Sequence, residues 1–547
     1  MVIFSIMDNA PRIRRIEELF LGTWRPYAWI LSAGFLLYSR ALSFGFTYLD
    51  DNALILDNIR NLKTWAIIPR AFSHDVFFSS GGAFYRPLLT LSLALDAHIG
   101  GTLPFFYHLS SILIHLAAAI LLFRLFLRLD YGKGLSFFSA LLFTVHPALS
   151  QAVAWVPGRN DSLAAVFVFL SFTQFIRFLS GDPGKWAAYA LHLFFFGLAL
   201  LTKEAAAVIP AAFLLYALLL RPKRPFSALM PELAGWLAML ALWHALRSSV
   251  LGIPGLPPEA MARSVWTNLP AFLQYTGKAL LPLNLSVMPA LRDTTSVFGF
   301  LAAGAIVCAL ILRRPRNRMM VVFGFCWFAL FLLPSLIMNS PTMEDFMFEH
   351  RLYIPLAGLL LVFMEMAPAK FPAGAGPRAG AAGLAALALL ACVTARHVVN
   401  FEDRLKFWGN AAATSPGSPL THRNLGIMYY MARLYGPAEK EYSTAIALDP
   451  EGPLAHCNLG VLYLDRGRLK EAETELRRAL ELAPSYDNGY YNLAVLHRLL
   501  GKEKEMTALL EKTLELNPAH VNALKELSLL TAGTGPPLLR PQPGEAP

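Results

Sequence analysis

This chain is short of charge and of cysteine. Only 15% of its 547 residues are charged, while 56% are hydrophobic; an ordinary soluble domain carries about 25% charged residues. That shortage excludes a water-facing surface over most of the chain and points to lipid as the main solvent. Cys308, Cys326, Cys392 and Cys457 share no CxxC spacing, and three of them lie in apolar runs. They imply neither a metal site nor a disulfide framework. A Walker loop, a HExxH zinc site and a GxSxG elbow are also missing. The net charge of +10 would suit nucleic acid, but many of the basic residues fall in short connections between apolar runs. There they set membrane orientation, so no nucleic-acid partner is expected.

What is present is a succession of apolar runs up to about residue 395. About eleven are long enough to be read as spans, at about 27–46, 104–127, 134–155, 161–179, 186–202, 205–220, 229–247, 296–312, 319–338, 351–367 and 379–395. The first follows Arg12, Arg14, Arg15 and Arg25 and lacks a small-residue cleavage site, so it reads as an uncleaved span. With the N-terminus in the cytoplasm, 18 basic residues fall in short connections on that side and 12 on the other. The positive-inside rule favours this orientation. Trp266 to Met288, broken by Pro270 and Pro282, reads as an interfacial or re-entrant segment. An odd number of spans then sends the C-terminal part outside, to a periplasm or secretory lumen.

Beyond residue 400 the chain turns polar and repeats itself every 34 residues. Asn424-Leu425-Gly426, Asn458-Leu459-Gly460 and Asn492-Leu493-Ala494 are in register, as are Pro416, Pro450, Pro484 and Pro518. Ala438 and Ala472, with Ala445 and Ala479, are small residues that let paired helices approach, and each proline follows a second helix. This is the tetratricopeptide pattern, whose stacked hairpins present a concave face to extended peptides. The expected organisation is a membrane domain over 1–398 with an outer loop at 47–103 carrying interfacial helices, repeats over 399–532, and a disordered Pro- and Gly-rich tail over 533–547. The fold class is all-α.

Ionisable groups beside membrane segments are costly and mark function. Asp50 and Asp51 follow the first run; the loop they open contains Tyr85-Arg86-Pro87-Leu88, Asp96 and His98. His146-Pro147 and Gly158-Arg159-Asn160-Asp161 flank the end of the third run, Lys203-Glu204 interrupts two others, and Glu349-His350-Arg351-x-Tyr353-x-Pro355 precedes another. Four separated loops thus bring both signs of charge to one face. Arginine and lysine suit an anionic phosphate, and a carboxylate suits activation of a hydroxyl. With no segment left to form a nucleotide-binding domain, the donor is expected to be lipid-linked.

In this order, together with Tyr107-His108 and the attached repeats, these motifs resemble those of the transmembrane and tetratricopeptide-repeat O-mannosyltransferases, of the GT-C class of membrane glycosyltransferases. The resemblance covers both halves of the chain. It implies a GT-C-type helix bundle followed by an α-solenoid, and an inverting transfer of one sugar, mannose, from a polyprenyl phosphate to Ser or Thr hydroxyls. Asp50 or Asp51 would be the general base and Asp161 a second catalytic acid. Arg159, Lys203, Arg351, His350 and Arg86 would neutralise the leaving phosphate, with His146, Glu204, Glu349 and Tyr353 nearby. No metal site is assigned and no cofactor is obligatory, although the carboxylates are compatible with a divalent ion. The expected partners are the lipid-linked sugar, the bilayer, and a protein acceptor bound by the repeats. A bacterial relative in the inner membrane, with undecaprenyl phosphate as carrier and periplasmic repeats, fits this resemblance. A membrane-anchored repeat scaffold without catalysis is the alternative, and a transporter the third reading.

Overall fold

The computed structural model describes residues 18–78, 84–221, 225–252, 257–337, 346–367 and 376–531. Arg12, Arg14, Arg15, Lys223, Arg224, Lys370 and the tail from Gly533 lie outside them. The chain divides into two compact units, 1–407 and 408–547. Among the described residues the secondary structure is helical, apart from an isolated antiparallel bridge between Ala290 and Phe346.

The first unit corrects the expected number of spans. Five helices are long and apolar enough to cross a membrane: Pro104–Arg128, Val156–Ser180, Lys185–Thr202, Arg318–Leu336 and Gly380–Phe401. A sixth is counted if Lys133–Thr144 and Pro147–Ala154, bent by 55° to each other, form one broken span. The bend falls at His146-Pro147, where proline removes a helical donor. Other apolar runs make shorter helices: 14 residues for Arg25–Tyr38, 16 for Val297–Leu312 and 12 for Pro355–Met366. Apolar runs measured on the sequence extend into turns and 3₁₀ segments, which is why eleven was too many. The count of five or six also removes the parity argument that sent the repeats outside.

Two of the long helices, Val156–Ser180 and Lys185–Thr202, follow one another through a four-residue turn at 181–184 and pack together. Their ends at Asp161 and Lys203 therefore meet. The core between helices is aromatic, with Phe172, Phe175, Phe213, Phe323 and Trp327 in mutual ring contact. Where the helix at Arg318–Leu332 meets that at Pro355–Met366, Gly324 and Gly358 face each other. A Cβ on Gly324 would lie 2.6 Å from the Gly358 carbonyl oxygen. Close backbone approach of this kind is how apolar helices gain contact in lipid.

The loop after the first helix folds on itself. Short helices at Ile59–Leu62 and Ile67–Ser73 pack against Pro87–Gly100, burying Leu62, Ile67, Leu89 and Leu93. Residues 266–288 contain the end of Pro258–Thr267 and the 12-residue helix Leu269–Leu280.

In the second unit, helices Pro419–Met431 and Tyr435–Leu448, Pro453–Asp465 and Leu469–Leu482, Asp487–Leu499 and Glu503–Leu516 form three hairpins. Gly426 packs on Tyr442 and Gly460 on Leu476, and Ala438 and Ala472 are fully buried. Met506 and Thr513 take the buried places that alanine holds in the earlier copies.

Candidate functional site

The candidate site lies in the first unit, where four stretches distant in sequence meet. Asp161 is in the first turn of the helix that begins at Arg159, and Lys203 caps the end of Lys185–Thr202. Lys203 Nζ lies 2.5 Å from Asp161 Oδ2, with both side chains largely buried. Burial pulls Lys203 below the usual lysine range although Asp161 opposes it, and the nearby Arg86 and Arg351 add to the fall. Next along the chain, Glu204 holds Arg86 in a fork: Nη2 to Oε2 at 2.9 Å and Nε to both oxygens at 3.2 Å. The Arg86 guanidinium also covers the Phe84 ring at 4.2 Å. A planar fork of this sort fixes orientation as well as charge.

The turn Glu349–Leu352 supplies the fourth stretch. His350 Nε2 is 3.7 Å from Asp161 Oδ2. Burial, then Lys203, Arg351 and Arg86, push the His350 pKa well below its ordinary value, so the ring is neutral at pH 7. Arg351 donates to the carbonyls of Phe346 (3.2 Å) and Ser335 (3.3 Å) and sits over the Phe348 ring. Among the described residues no carboxylate lies within ion-pairing distance of Arg351.

Asp50 and Asp51 are distinguished by their surroundings. Tyr48 has a left-handed backbone (φ 59°), and this sharp turn starts the helical segment that follows. Asp51 is 1% exposed; its Oδ2 accepts from Thr47 N at 3.0 Å and Thr47 Oγ1 at 2.5 Å. It works as a local brace across the turn. Asp50 keeps part of its surface open, and no hydrogen bond of its carboxylate to a described residue is formed. Burial lifts Asp50 to about 6 against the pull of Arg86. Burial lifts Asp51 to about 7, with the Asp50 charge adding and the Thr47 hydrogen bonds opposing.

Other residues singled out from the sequence are not brought to this cluster. Arg159 is fully buried: Nη1 pairs with Asp96 Oδ2 at 2.5 Å, Nε donates to Ser111 Oγ at 3.0 Å, and Nη2 donates to the Tyr107 carbonyl. With its donors taken and no surface, Arg159 ties helices together and has nothing to offer a phosphate. His146 caps the turn Pro147–Leu149, with Nδ1 accepting from Ala148 N and Nε2 against the Ala279 carbonyl at 2.9 Å. Tyr353 is buried with its hydroxyl 2.6 Å from His115 Nδ1. Glu349 is fully buried on Lys278, 2.5 Å away. Burial alone would raise its pKa, but Lys278, followed by His397, outweighs this and holds it below the usual range.

Sequence reasoning missed Trp155 and gave no role to Asn160, which it quoted only as part of a motif; both border the cluster. Trp155 stacks on Phe348 (6.0 Å, 18°) and lies 5.5 Å from the His350 ring. Trp155 Nε1, Asn160 Oδ1 and His350 Nδ1 are buried without a hydrogen-bond partner among the described residues. Buried polar atoms left unpaired are costly. The signal for Trp155 was its place between His146-Pro147 and Gly158-Arg159, inside a stretch already picked out for its charges. Among the described residues, no group of three or more His, Cys, Asp or Glu side chains is placed to hold a metal ion.

Known proteins bear on this geometry. The dolichyl-phosphate-mannose-protein mannosyltransferase family pattern matches residues 87–246, which include Asp161, Lys203 and Glu204. Tetratricopeptide-repeat patterns match 411–487 and 488–520. Protein O-mannosyl-transferase Tmtc2 of Drosophila melanogaster is 34% identical over 187 residues, 32% of this chain and 20% of that protein. Protein O-mannosyl-transferase TMTC2 of Homo sapiens is 37% identical over 153 residues, 27% of this chain and 18% of that protein. The chain thus spans about a fifth of the length of these curated relatives. Among solved structures, the first repeat domain of Spaghetti (RPAP3) bound to an HSP90 peptide aligns at 25% identity with a TM-score of 0.21, covering 21% of this chain and 92% of that one. A mannosyltransferase-type segment followed by tetratricopeptide repeats makes this chain similar to the TMTC protein O-mannosyl-transferases.

Proposed function

We propose that the chain transfers a single sugar, mannose, from a polyprenyl-phosphate carrier to Ser or Thr hydroxyls of a protein. The observation that carries this reading is a partly open carboxylate, Asp50, under the charge of Arg86, which Glu204 holds in a fork and which shares its surroundings with Lys203 and Arg351. In the reaction, Asp50 accepts the proton of the acceptor hydroxyl, whose oxygen bonds to the anomeric carbon from the face opposite the leaving group. The bond from that carbon to the phosphate oxygen breaks with inversion, and the polyprenyl phosphate departs with the electron pair. Lys203 and Arg351, with Arg86, balance the charge that gathers on the phosphate. Three cations make an obligatory metal ion unnecessary in this scheme. Asp161 holds Lys203 in place. The unpaired Trp155 Nε1, Asn160 Oδ1 and His350 Nδ1 suit the hydroxyls of a sugar.

Asp50 is the better base of the two aspartates because Asp51 is closed off and committed to Thr47. A pKa of about 6 leaves Asp50 mostly ionised at pH 7 yet more basic than an ordinary aspartate. In this reading the site faces the periplasm of a bacterial inner membrane, the N-terminus is cytoplasmic, and the repeats bind the acceptor in the same compartment. The last helix of the first unit ends at the site, where His397 of its final turn reaches Glu349, which supports a common side for the site and the chain that follows.

The test uses undecaprenyl-phosphate mannose and a Ser/Thr-rich acceptor peptide with the purified full-length protein. Asp50→Asn is expected to lower transfer by roughly 10²–10⁴-fold with an unchanged helical spectrum. Equal transfer by Asp50→Asn and wild type would remove Asp50 from the mechanism. A repeat scaffold without catalysis would show no transfer in either.

A further inference from the structure

The turn bearing His350 and Arg351 is gripped by buried polar side chains that have no part in the chemistry above. Gln151 is fully buried; its Oε1 accepts from His350 N at 3.1 Å and its Nε2 donates to the Val287 carbonyl at 2.8 Å. Lys278, 1% exposed, donates to Glu349 Oε1 at 2.5 Å and to the Asn284 carbonyl at 3.0 Å. The same Glu349 oxygen accepts from Ser286 N at 2.7 Å. His397 Nε2 approaches the other Glu349 oxygen to 3.2 Å, as a close contact and not an aligned hydrogen bond. Tyr275 adds a bond from its hydroxyl to the Phe348 carbonyl at 3.2 Å.

Stability alone does not account for this arrangement. Burying a lysine and a glutamate costs each its hydration, and an apolar pair of similar volume is commonly as stable or more so. What a buried charge pair can supply is register, and in the observed placement of the turn Lys278, Ser286 and Gln151 are satisfied together. Glu349 is two residues before Arg351, so a slip there displaces the guanidinium, and displacement by about 1 Å in a reacting site can cost on the order of 10²-fold.

We propose that Gln151, Lys278 and His397 are positioning residues, a buried clamp that acts through Glu349 and the His350 backbone to set the grip of Arg351 on a lipid-borne phosphate. The clamp rests on the proposed function for the identity of that ligand. Its members come from three elements: the bent segment Gln151–Ala154, the short helix Leu269–Leu280, and the final turn of the last helix in the first unit. The turn is therefore located by elements outside the four stretches that form the site.

The experiment compares full-length wild type, Lys278→Met, the double variant Lys278→Met/Glu349→Met, and Gln151→Leu. Melting temperature is read with and without undecaprenyl phosphate, together with the KM for undecaprenyl-phosphate mannose and for the acceptor. Lys278→Met strands the Glu349 charge and is expected to lower the melting temperature. The double variant is expected to regain it while its donor KM stays raised, on the order of tenfold or more, with acceptor KM unchanged. A double variant that recovers both melting temperature and donor KM would show the cluster to be structural only and overturn the clamp. Should the double variant not fold, Gln151→Leu decides: a raised donor KM supports the clamp, and a wild-type value overturns it. A wild type with neither transfer nor a thermal response to undecaprenyl phosphate overturns the functional reading and the clamp together, an outcome distinct from a responsive wild type matched by its variants.

Discussion

Neighbouring residues of like chemistry have different tasks here, and burial separates them. Asp51 has a folded pKa near 7 against 3.8 in the open chain, so between those values the folded state holds a proton that the unfolded state has released. Stability from this group is therefore lost as pH rises through that window and is level above it. Asp51→Asn has no such loss. Its melting temperature relative to wild type is expected to climb from pH 5 to pH 8, and a difference that does not vary with pH would contradict the buried carboxylate. For Asp50, kcat/KM should rise with pH through about 6 and then level, as a base must lose its proton to act; a profile flat across that range would exclude it. Arg159 and Arg351 differ in the same way. Removing the fully buried Arg159 leaves Asp96 uncompensated, so Arg159→Met is expected to destabilise by about 3–5 kcal/mol, measurable in a denaturation series. Both arginines were legible as functional candidates in the sequence; which one faces the site was not, because Asp96 and Arg159 are 63 positions apart.

Elements meet through small residues and turns that a hydropathy profile does not separate. Gly324 and Gly358 bring two helices into backbone contact, and alanine at either would press on a carbonyl that cannot yield. Gly324→Ala is expected to cost about 1–3 kcal/mol, read as a lower melting temperature with donor KM unaltered; a neutral result would mean the helices are further apart. The same limit explains the spans. Composition marked the apolar runs correctly as membrane-type sequence, yet Pro147 bends one and others end after 12 to 16 residues. Helix length depends on where the backbone turns, and the 3₁₀ turn Ser39–Ser43 falls inside the run read from the sequence as the first span.

At the scale of the whole molecule, the chain has two compact units. Residues 408–531 expressed alone are expected to give a helical spectrum and a single cooperative melt, since each hairpin buries the face between its own two helices; an unfolded product would show that the repeats need the first unit. The proposed compartment has its own measurement. A cysteine introduced at the exposed Glu481, in a protein otherwise free of cysteine, should react with a membrane-impermeant maleimide on spheroplasts. Labelling only after lysis would reverse the orientation.

Two properties followed from the amino-acid sequence by itself. The 34-residue register of Asn424, Asn458 and Asn492 determined the repeats, and the scarcity of charge before residue 400 determined a membrane body, because both are local patterns that need no knowledge of long-range contacts. The order of the charged motifs also suggested which loops to watch. Only the tertiary structure decided the rest: that Lys203 meets Asp161, that Glu204 holds Arg86, that Arg159 is sequestered by Asp96, and that Lys278 and Gln151 brace the turn of Arg351. A charge in a sequence has a sign but no partner. Partners 42 to 199 positions apart are chosen by how helices pack, and that choice separates a side chain that can face a ligand from one spent on the scaffold.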